Sequence, residues 1–205
     1  MTRQALPGIL AMAAIVVASN ILVQYLLGDW LTWGALTYPL AFLVTDLMTR
    51  LYGPALARQV VFTGFIVGVF CSLVASQFDA TTFRIAVGSG TAFLVAQLLD
   101  VSVFDRMRGR AWWQAPLAST LIGSTVDTAL FFSIAFAAAF NALEPANAPT
   151  WAQETLPLLG AGPVAPLWVS LAVADWGVKL TLALIALIPF RLIVARAGGD
   201  AAEEH

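Results

Sequence analysis

The chain has 205 residues, 60% of them hydrophobic and only 11% charged, with a net charge of −2 and a mean hydropathy of +0.86. A soluble domain carries roughly 25% charged residues, so a water-covered globule is excluded, and so small a net charge offers neither a nucleic-acid patch nor an acidic tail. The lone cysteine, Cys71, excludes an intramolecular disulfide, and the lone histidine, His205, is the last residue, which excludes a histidine-ligated metal core and histidine-based catalysis.

About 20 mainly apolar residues are needed for a helix to cross the hydrocarbon core. Six stretches meet this: 6–27, 33–51, 60–77, 83–104, 113–140 and 164–193. The first is too long for a signal-peptide core and carries Asn20 and Gln24 in place of a small-residue cleavage site, so no cleavable leader is expected. Short spacers hold turn formers and charges, as in Gly28-Asp29, Gly53-Pro54 and Arg106 to Arg110. The exception is 141–163, rich in Pro and Gly, where a longer loop with one surface turn is expected, and 196–205 is expected to be a tail. Backbone groups in lipid must be satisfied within the segment, so these runs read as helices, and they lack the alternation of a membrane β-barrel. With the N-terminus inside, Arg3, Arg50, Arg58, Arg106, Arg108, Arg110, Arg191 and Arg196 all fall at inner ends. Arg84 alone falls outside and Lys179 lies within the membrane, so the positive-inside rule places both termini in the cytoplasm. Trp30, Trp33, Trp112, Trp113 and Trp151 fall near predicted boundaries, as interfacial belts require.

Ionisable groups at mid-membrane are costly, and they usually face the bundle interior and serve function. The sixth stretch carries Asp175 and Lys179 four residues apart, on one helix face. Each costs about 2.5–3.5 kcal/mol at a helix centre, and the twelve Leu, Ile, Val and Phe residues between Leu167 and Phe190 offset roughly 4–7 kcal/mol. The helix about breaks even, so stability alone does not explain the charges. Asp127, in the fifth stretch, is placed to join Asp175 as a second carboxylate around the ammonium; the plainer reading is an ion pair that locks helices. The fourth stretch aligns Gly90, Phe93, Gln97, Asp100 and Phe104 on one stripe, with a small-residue packing seam as the alternative. The first stretch sets Asn20 and Gln24 on one face. The second sets Tyr38, Phe42, Thr45 and Thr49 on a face with Asp46 beside it, and pairing of Asp46 with Arg50 is the structural alternative. Pro39 opens a backbone carbonyl in the same stretch. All these groups are expected to converge on one hydrated chamber. Amides and carboxylates between aromatic faces suit a planar, neutral, hydrogen-bonding heterocycle, because a carboxylate accepts two hydrogen bonds from an amidine-like edge. A simple anion would want more than the one cation available.

The run Leu31-Thr32-Trp33-Gly34-Ala35-Leu36-Thr37-Tyr38-Pro39-Leu40-Ala41-Phe42-Leu43-Val44-Thr45-Asp46 resembles the queuosine precursor transporters, formerly an uncharacterised vitamin uptake transporter family. Ser89 to Asp100, Gly123 to Phe132 around Asp127, and Asp175 with Lys179 fit the same resemblance, which covers about residues 15 to 190. It implies a six-helix inner-membrane importer of 7-deazaguanine bases, the cyano and aminomethyl precursors or queuine, salvaged for tRNA modification. The family's motif positions map onto Asp46, Gln97, Asp100, Asp127, Asp175 and Lys179. Arg50 stands where many relatives carry an acidic residue.

The fold class expected is thus all-α integral membrane, a single domain of six transmembrane helices with both termini inside. It resembles the substrate-binding subunits of energy-coupling vitamin importers. The expected substrate site is Asn20, Gln24, Tyr38, Asp46, Phe93, Gln97, Asp100, Asp127, Asp175 and Lys179. The expected partners are a 7-deazapurine and the lipid bilayer, with the chain alone or as a homodimer, and neither cofactor, metal nor nucleic acid. No Walker motif accompanies the chain. The alternatives are a substrate-binding subunit of an energy-coupling vitamin importer docking through Ala14-x-x-x-Ala18, another small-heterocycle transporter, or a structural subunit. An intramembrane aspartyl protease using Asp127 and Asp175 is disfavoured: there is no Gly-x-Gly-Asp element, and Lys179 would hold ionised a dyad that must share a proton.

Overall fold

The computed structural model describes residues 3–203; His205 lies outside them. A 3-10 turn, Arg3–Ala5, leads into α1 (Leu6–Leu22). The apolar run continues to Leu27, but residues 23–27 do not extend the helix. Instead Leu26–Leu27 (β1) pairs antiparallel with Leu31–Thr32 (β2) across a turn in which Gly28 takes φ 69°. Only glycine adopts that region at little cost.

The expected second span, 33–51, is divided. A single turn, α2 (Gly34–Thr37), and a 13-residue helix, α3 (Leu40–Tyr52), flank Tyr38 and Pro39. Pro39 has no N–H for the Ala35 carbonyl, and its ring crowds the preceding turn. The backbone tightens in response: the N–H groups of Ala41 and Phe42 reach back three residues, to the carbonyls of Tyr38 and Pro39. At about 1.5 Å per residue α3 is roughly 20 Å long, short of the ~30 Å hydrocarbon core.

Gly53, at φ 91°, turns the chain into α4 (Pro54–Ser76), which places proline at its first position. Thr82 caps α5 (Phe83–Met107) by accepting the Ile85 N–H at 3.3 Å. The fifth stretch becomes α6 (Gln114–Phe136), ending before 140. The expected loop 141–163 is more ordered than one turn: it holds 3-10 turns, α7 (Thr150–Gln153), and strand β3 (Thr155–Pro157), paired with β4 (Val164–Pro166). Finally α8 (Leu167–Glu203) carries the helix past the expected end of the last span and into the expected tail.

Among the described residues five helices are long and apolar enough to cross a membrane: Arg3–Leu22, Pro54–Ser76, Phe83–Met107, Gln114–Phe136 and Leu167–Ala197. The short α3 is central, packing against α1, α4, α5, α6 and α8. Its Ala41, Phe42, Thr45, Asp46, Met48 and Thr49 are buried. The most extensive helix pair is α5 with α6. Gly123 permits that approach, since a Cβ there would meet Phe42 Cε1 at 2.8 Å and the Ala96 carbonyl at 3.3 Å.

Hydrogen bonds fix which helix ends meet. Gln24 Nε2, just past α1, donates to the Ala80 carbonyl before α5, and the Trp33 N–H donates to the Tyr25 carbonyl. At the other end Arg50 Nη1 donates to the Arg108 carbonyl at 2.9 Å, Arg108 reaches the Thr49 carbonyl, and Arg191 lies 5.0 Å over the Trp112 ring. The divided α2–α3 segment therefore runs from the end where α1 finishes to the end where α4 begins.

The isolated Arg84 is a structural staple. It is 1% exposed and donates to the Ile134 and Ala137 carbonyls at 3.1 and 2.8 Å and to Asn141 Oδ1 at 2.7 Å. It thereby satisfies carbonyls at the end of α6, which a helix terminus leaves without partners. Its own N–H donates to Glu144 Oε2 at 2.9 Å, and Asn147, donating to the same carboxylate, helps hold Glu144 below its usual range. Replacing Arg84 with Met strands these acceptors and should cost about 2–4 kcal/mol. Thermal unfolding in detergent should show a clear fall in midpoint, and an unchanged midpoint contradicts the staple.

Candidate functional site

The charged residues of the last helices come together. Lys179 on α8, 3% exposed, sets its ammonium 2.7 Å from Asp127 Oδ2 on α6 and 2.5 Å from Asp175 Oδ2 one turn earlier on its own helix. Its third donor reaches Thr128 Oγ1 at 3.0 Å, and that hydroxyl donates to Asp175 Oδ2 at 2.9 Å. An ammonium has three donors and no acceptor, so Lys179 is saturated. Tyr38, at the break between α2 and α3, donates to Asp127 Oδ1 at 3.2 Å and offers its ring face to the ammonium at 5.6 Å. Phe93 of α5 meets the Tyr38 ring edge-on, with centroids 6.1 Å apart. Four elements thus enclose one ammonium and two carboxylates.

A second polar group continues along α3, α5 and α6. Asp46 is buried and accepts hydrogen bonds from Ser119 at 2.8 Å and Thr120 at 3.2 Å. It does not pair with Arg50, whose guanidinium turns to the Arg108 carbonyl. Beside Asp46 stands Asp100 of α5, with Ser119 next to both. Thr45 donates to Gln97 Oε1. Within this group, Gln97 Nε2 and both carboxylate oxygens of Asp100 are buried without a hydrogen bond in good geometry to another described residue. Such groups are rare in folded proteins and are commonly satisfied by a water, an ion or a ligand. They supply one amide donor and one carboxylate with both oxygens open.

Of the expected site residues, Tyr38, Phe93, Asp127, Asp175 and Lys179 form the first cluster, and Asp46, Gln97 and Asp100 the second. Asn20 and Gln24 join neither. The Asn20 amide donates to the Val16 carbonyl of its own helix at 2.9 Å, and the exposed Gln24 ties two loops together. The single hydrated chamber expected from the sequence is replaced by side chains in contact. Of these residues only Asp46 lines a cavity, one shared with Thr120, Pro39 and Phe190 that holds about 10 Å³, room for one water. Ser119, Thr120 and Thr128 are partners that the sequence reading passed over. Their signal was present, since Thr120, Ser124 and Thr128 repeat every four residues on one face with Asp127 beside them.

If Lys179 is replaced by Met, two buried carboxylates lose their countercharge, which should cost about 3–5 kcal/mol. Adding Asp127→Asn and Asp175→Asn should recover most of the lost thermal midpoint. A triple variant no more stable than Lys179→Met contradicts the charge balance.

Residues 32–194 match the family model described as "Putative vitamin uptake transporter". The chain is 34% identical to the "Queuosine precursor transporter" of Escherichia coli K12 over 194 residues, covering 85% of this chain and 79% of that protein. It is 41% identical over 138 residues to the "Probable queuosine precursor transporter" of Haemophilus influenzae, covering 60% of this chain and 57% of that protein. The corresponding protein of Bacillus subtilis 168 is 27% identical over 79% of this chain and 71% of its own length. No solved structure matches the chain. A membrane-spanning bundle with these polar clusters and these relatives belongs to the queuosine precursor transporter family.

Proposed function

We propose that the chain imports queuosine precursors, 7-deazaguanine bases, across the inner membrane. It crosses six times as one domain, with both termini in the cytoplasm. The carrying observation is the set of orphaned buried atoms, with both Asp100 oxygens open and Gln97 Nε2 beside them. Asp100 is suited to accept the ring N–H and the exocyclic amine of a guanine-like edge in a bidentate pair. Gln97 Nε2 is free to donate to a ring acceptor. Phe93, one turn before Gln97 on α5, and Tyr38 packed edge-on against it supply aromatic surface. The Lys179 cluster, already saturated, holds the walls from α2, α6 and α8 in place.

The sixth crossing is the divided α2–α3 segment. Residues 34–52 span about 28 Å at 1.5 Å per residue, and their ends meet opposite ends of the bundle. That count brings both termini to one side, and the gathering of Arg50, Arg58, Arg106, Arg108 and Arg110 at the same end favours the cytoplasm. The same topology suits the substrate-binding subunit of an energy-coupling importer. The exposed Ala14 and half-buried Ala18 on α1 would then form the docking face. We favour the solitary importer, alone or as a homodimer and without catalysis.

In cells unable to make the precursor, Asp100→Asn, Asp127→Asn and Asp175→Asn should each abolish queuosine in tRNA, measured by nucleoside mass spectrometry at matched protein levels. Unchanged queuosine content in all three removes the site. Liposomes holding only the purified protein should accumulate labelled 7-cyano-7-deazaguanine. If they do so only when an ATPase partner is added, the subunit reading is correct.

A further inference from the structure

The polar site inside the bundle is closed to a base as it stands. One water fits beside Asp46, and Gln97 and Asp100 are fully buried. A solute must be held elsewhere before the helices part to admit it. At the end of the bundle away from Arg50 and Arg108, a cavity of about 260 Å³ lies between the start of α5, the end of α6 and the loop around α7. Its walls are Ile85, Phe136, Pro149 and Trp151, and Thr82 and Asn147 add hydrogen-bonding groups. No charged side chain among the described residues lines it.

Pockets for drug-sized ligands start at about 300 Å³, so this one suits a smaller molecule, and its uncharged lining favours a neutral one. Trp151 meets Phe136 at 70° with ring centroids 5.7 Å apart, yet stays 55% exposed. A flat ring system stacked on the indole would cover that surface, and such stacking tolerates any base because every base has a π-face. The walls are held in place. Gln153 of α7 donates to the Phe136 carbonyl at 3.0 Å and to Asn141 Oδ1 at 2.8 Å. Arg84 ties the start of α5 to the Ile134 and Ala137 carbonyls.

Between this cavity and Lys179 stands an aromatic seal. Phe131, Phe132 and Phe136 pack with ring centroids 5.0 to 6.0 Å apart, and Leu171 of α8 joins their cluster. Phe132 lies one turn beyond Thr128 on α6, and Leu171 one turn before Asp175 on α8. About one turn of apolar side chains therefore separates the cavity from the lysine cluster. Phe136 belongs both to the cavity wall and to the seal.

We infer that this cavity is an outer capture site, where a neutral planar heterocycle stacks on Trp151 before the seal of Phe131, Phe132 and Phe136 parts to admit it. This rests on the substrate and topology readings above and adds a first station to them. The capture site reads flatness and neutrality, and the hydrogen-bonding edge is read further in, at Gln97 and Asp100.

The test places one thiol in the cavity: Ala148, which lines it, is replaced by Cys in a Cys71→Ser background. Right-side-out membrane vesicles are treated with a membrane-impermeant maleimide, with and without 7-cyano-7-deazaguanine. The solute should slow labelling roughly tenfold at a concentration ten times its Kd, and the protection should persist when Asp100→Asn is added. Protection that vanishes with Asp100→Asn puts all binding at the inner site and overturns the capture site. Labelling that the solute leaves unchanged, or that occurs only in inside-out vesicles, overturns it too. Import of the same solute by the Cys71→Ser protein separates the two readings. Where import persists, the substrate reading stands whatever the labelling shows; its absence removes the substrate reading and the capture site with it.

Discussion

The ammonium of Lys179 between Asp127 and Asp175 is the interaction on which the bundle's interior depends. Each charge alone is expensive in a low-dielectric core, and only close pairing with every donor satisfied makes the group tolerable. That demand fixes the rotation of α8 against α6, because Asp127 and Thr128 must both face the lysine. It also reaches α2 and α3, because the Asp127 oxygen left over by the lysine is taken by Tyr38. A hydrophobic seam would tolerate small slips of register. An ion cluster with three saturated donors does not.

The break at Pro39 and the ion cluster are parts of one arrangement. An unbroken helix over 33–51 would have been a simple span. The proline instead yields a short central helix, flanked by five others, with Tyr38 at the junction. From there α3 carries Thr45 and Asp46 into a second polar group whose partners come from α5 and α6. The two groups differ in kind. The lysine cluster is closed and charge-compensated, while the second leaves Asp100 and Gln97 with unused hydrogen-bonding capacity.

Hydropathy made the five long helices legible, because a run of some twenty apolar residues has no other stable form in lipid. Composition could not show that Pro39 divides a span, since a proline near a helix start is tolerated in many membrane helices. Asp175 and Lys179 were legible as an ion pair because four-residue spacing puts them on one face. Their partner Thr128 was not, for a threonine in a membrane helix more often bonds its own preceding turn, as Thr125 and Thr181 do here. The same habit explains Asn20. It stood on an apparent polar face, but its amide turns back to Val16. Arg84 looked like a stray outer charge because its partners, Asn141 and the carbonyls of Ile134 and Ala137, lie some fifty residues away. Long-range staples of that kind leave no periodic trace.

The central claim is that Asp100 and Gln97 meet the guanine-like edge of a deazapurine. Equilibrium binding of purified protein to 7-cyano-7-deazaguanine and to its analogue lacking the exocyclic amine tests it most directly. Loss of one hydrogen bond to a buried carboxylate is worth about 1.5–3 kcal/mol, so the analogue should bind at least tenfold more weakly, and Asp100→Asn should erase the difference. Equal affinity for the two compounds would contradict the account.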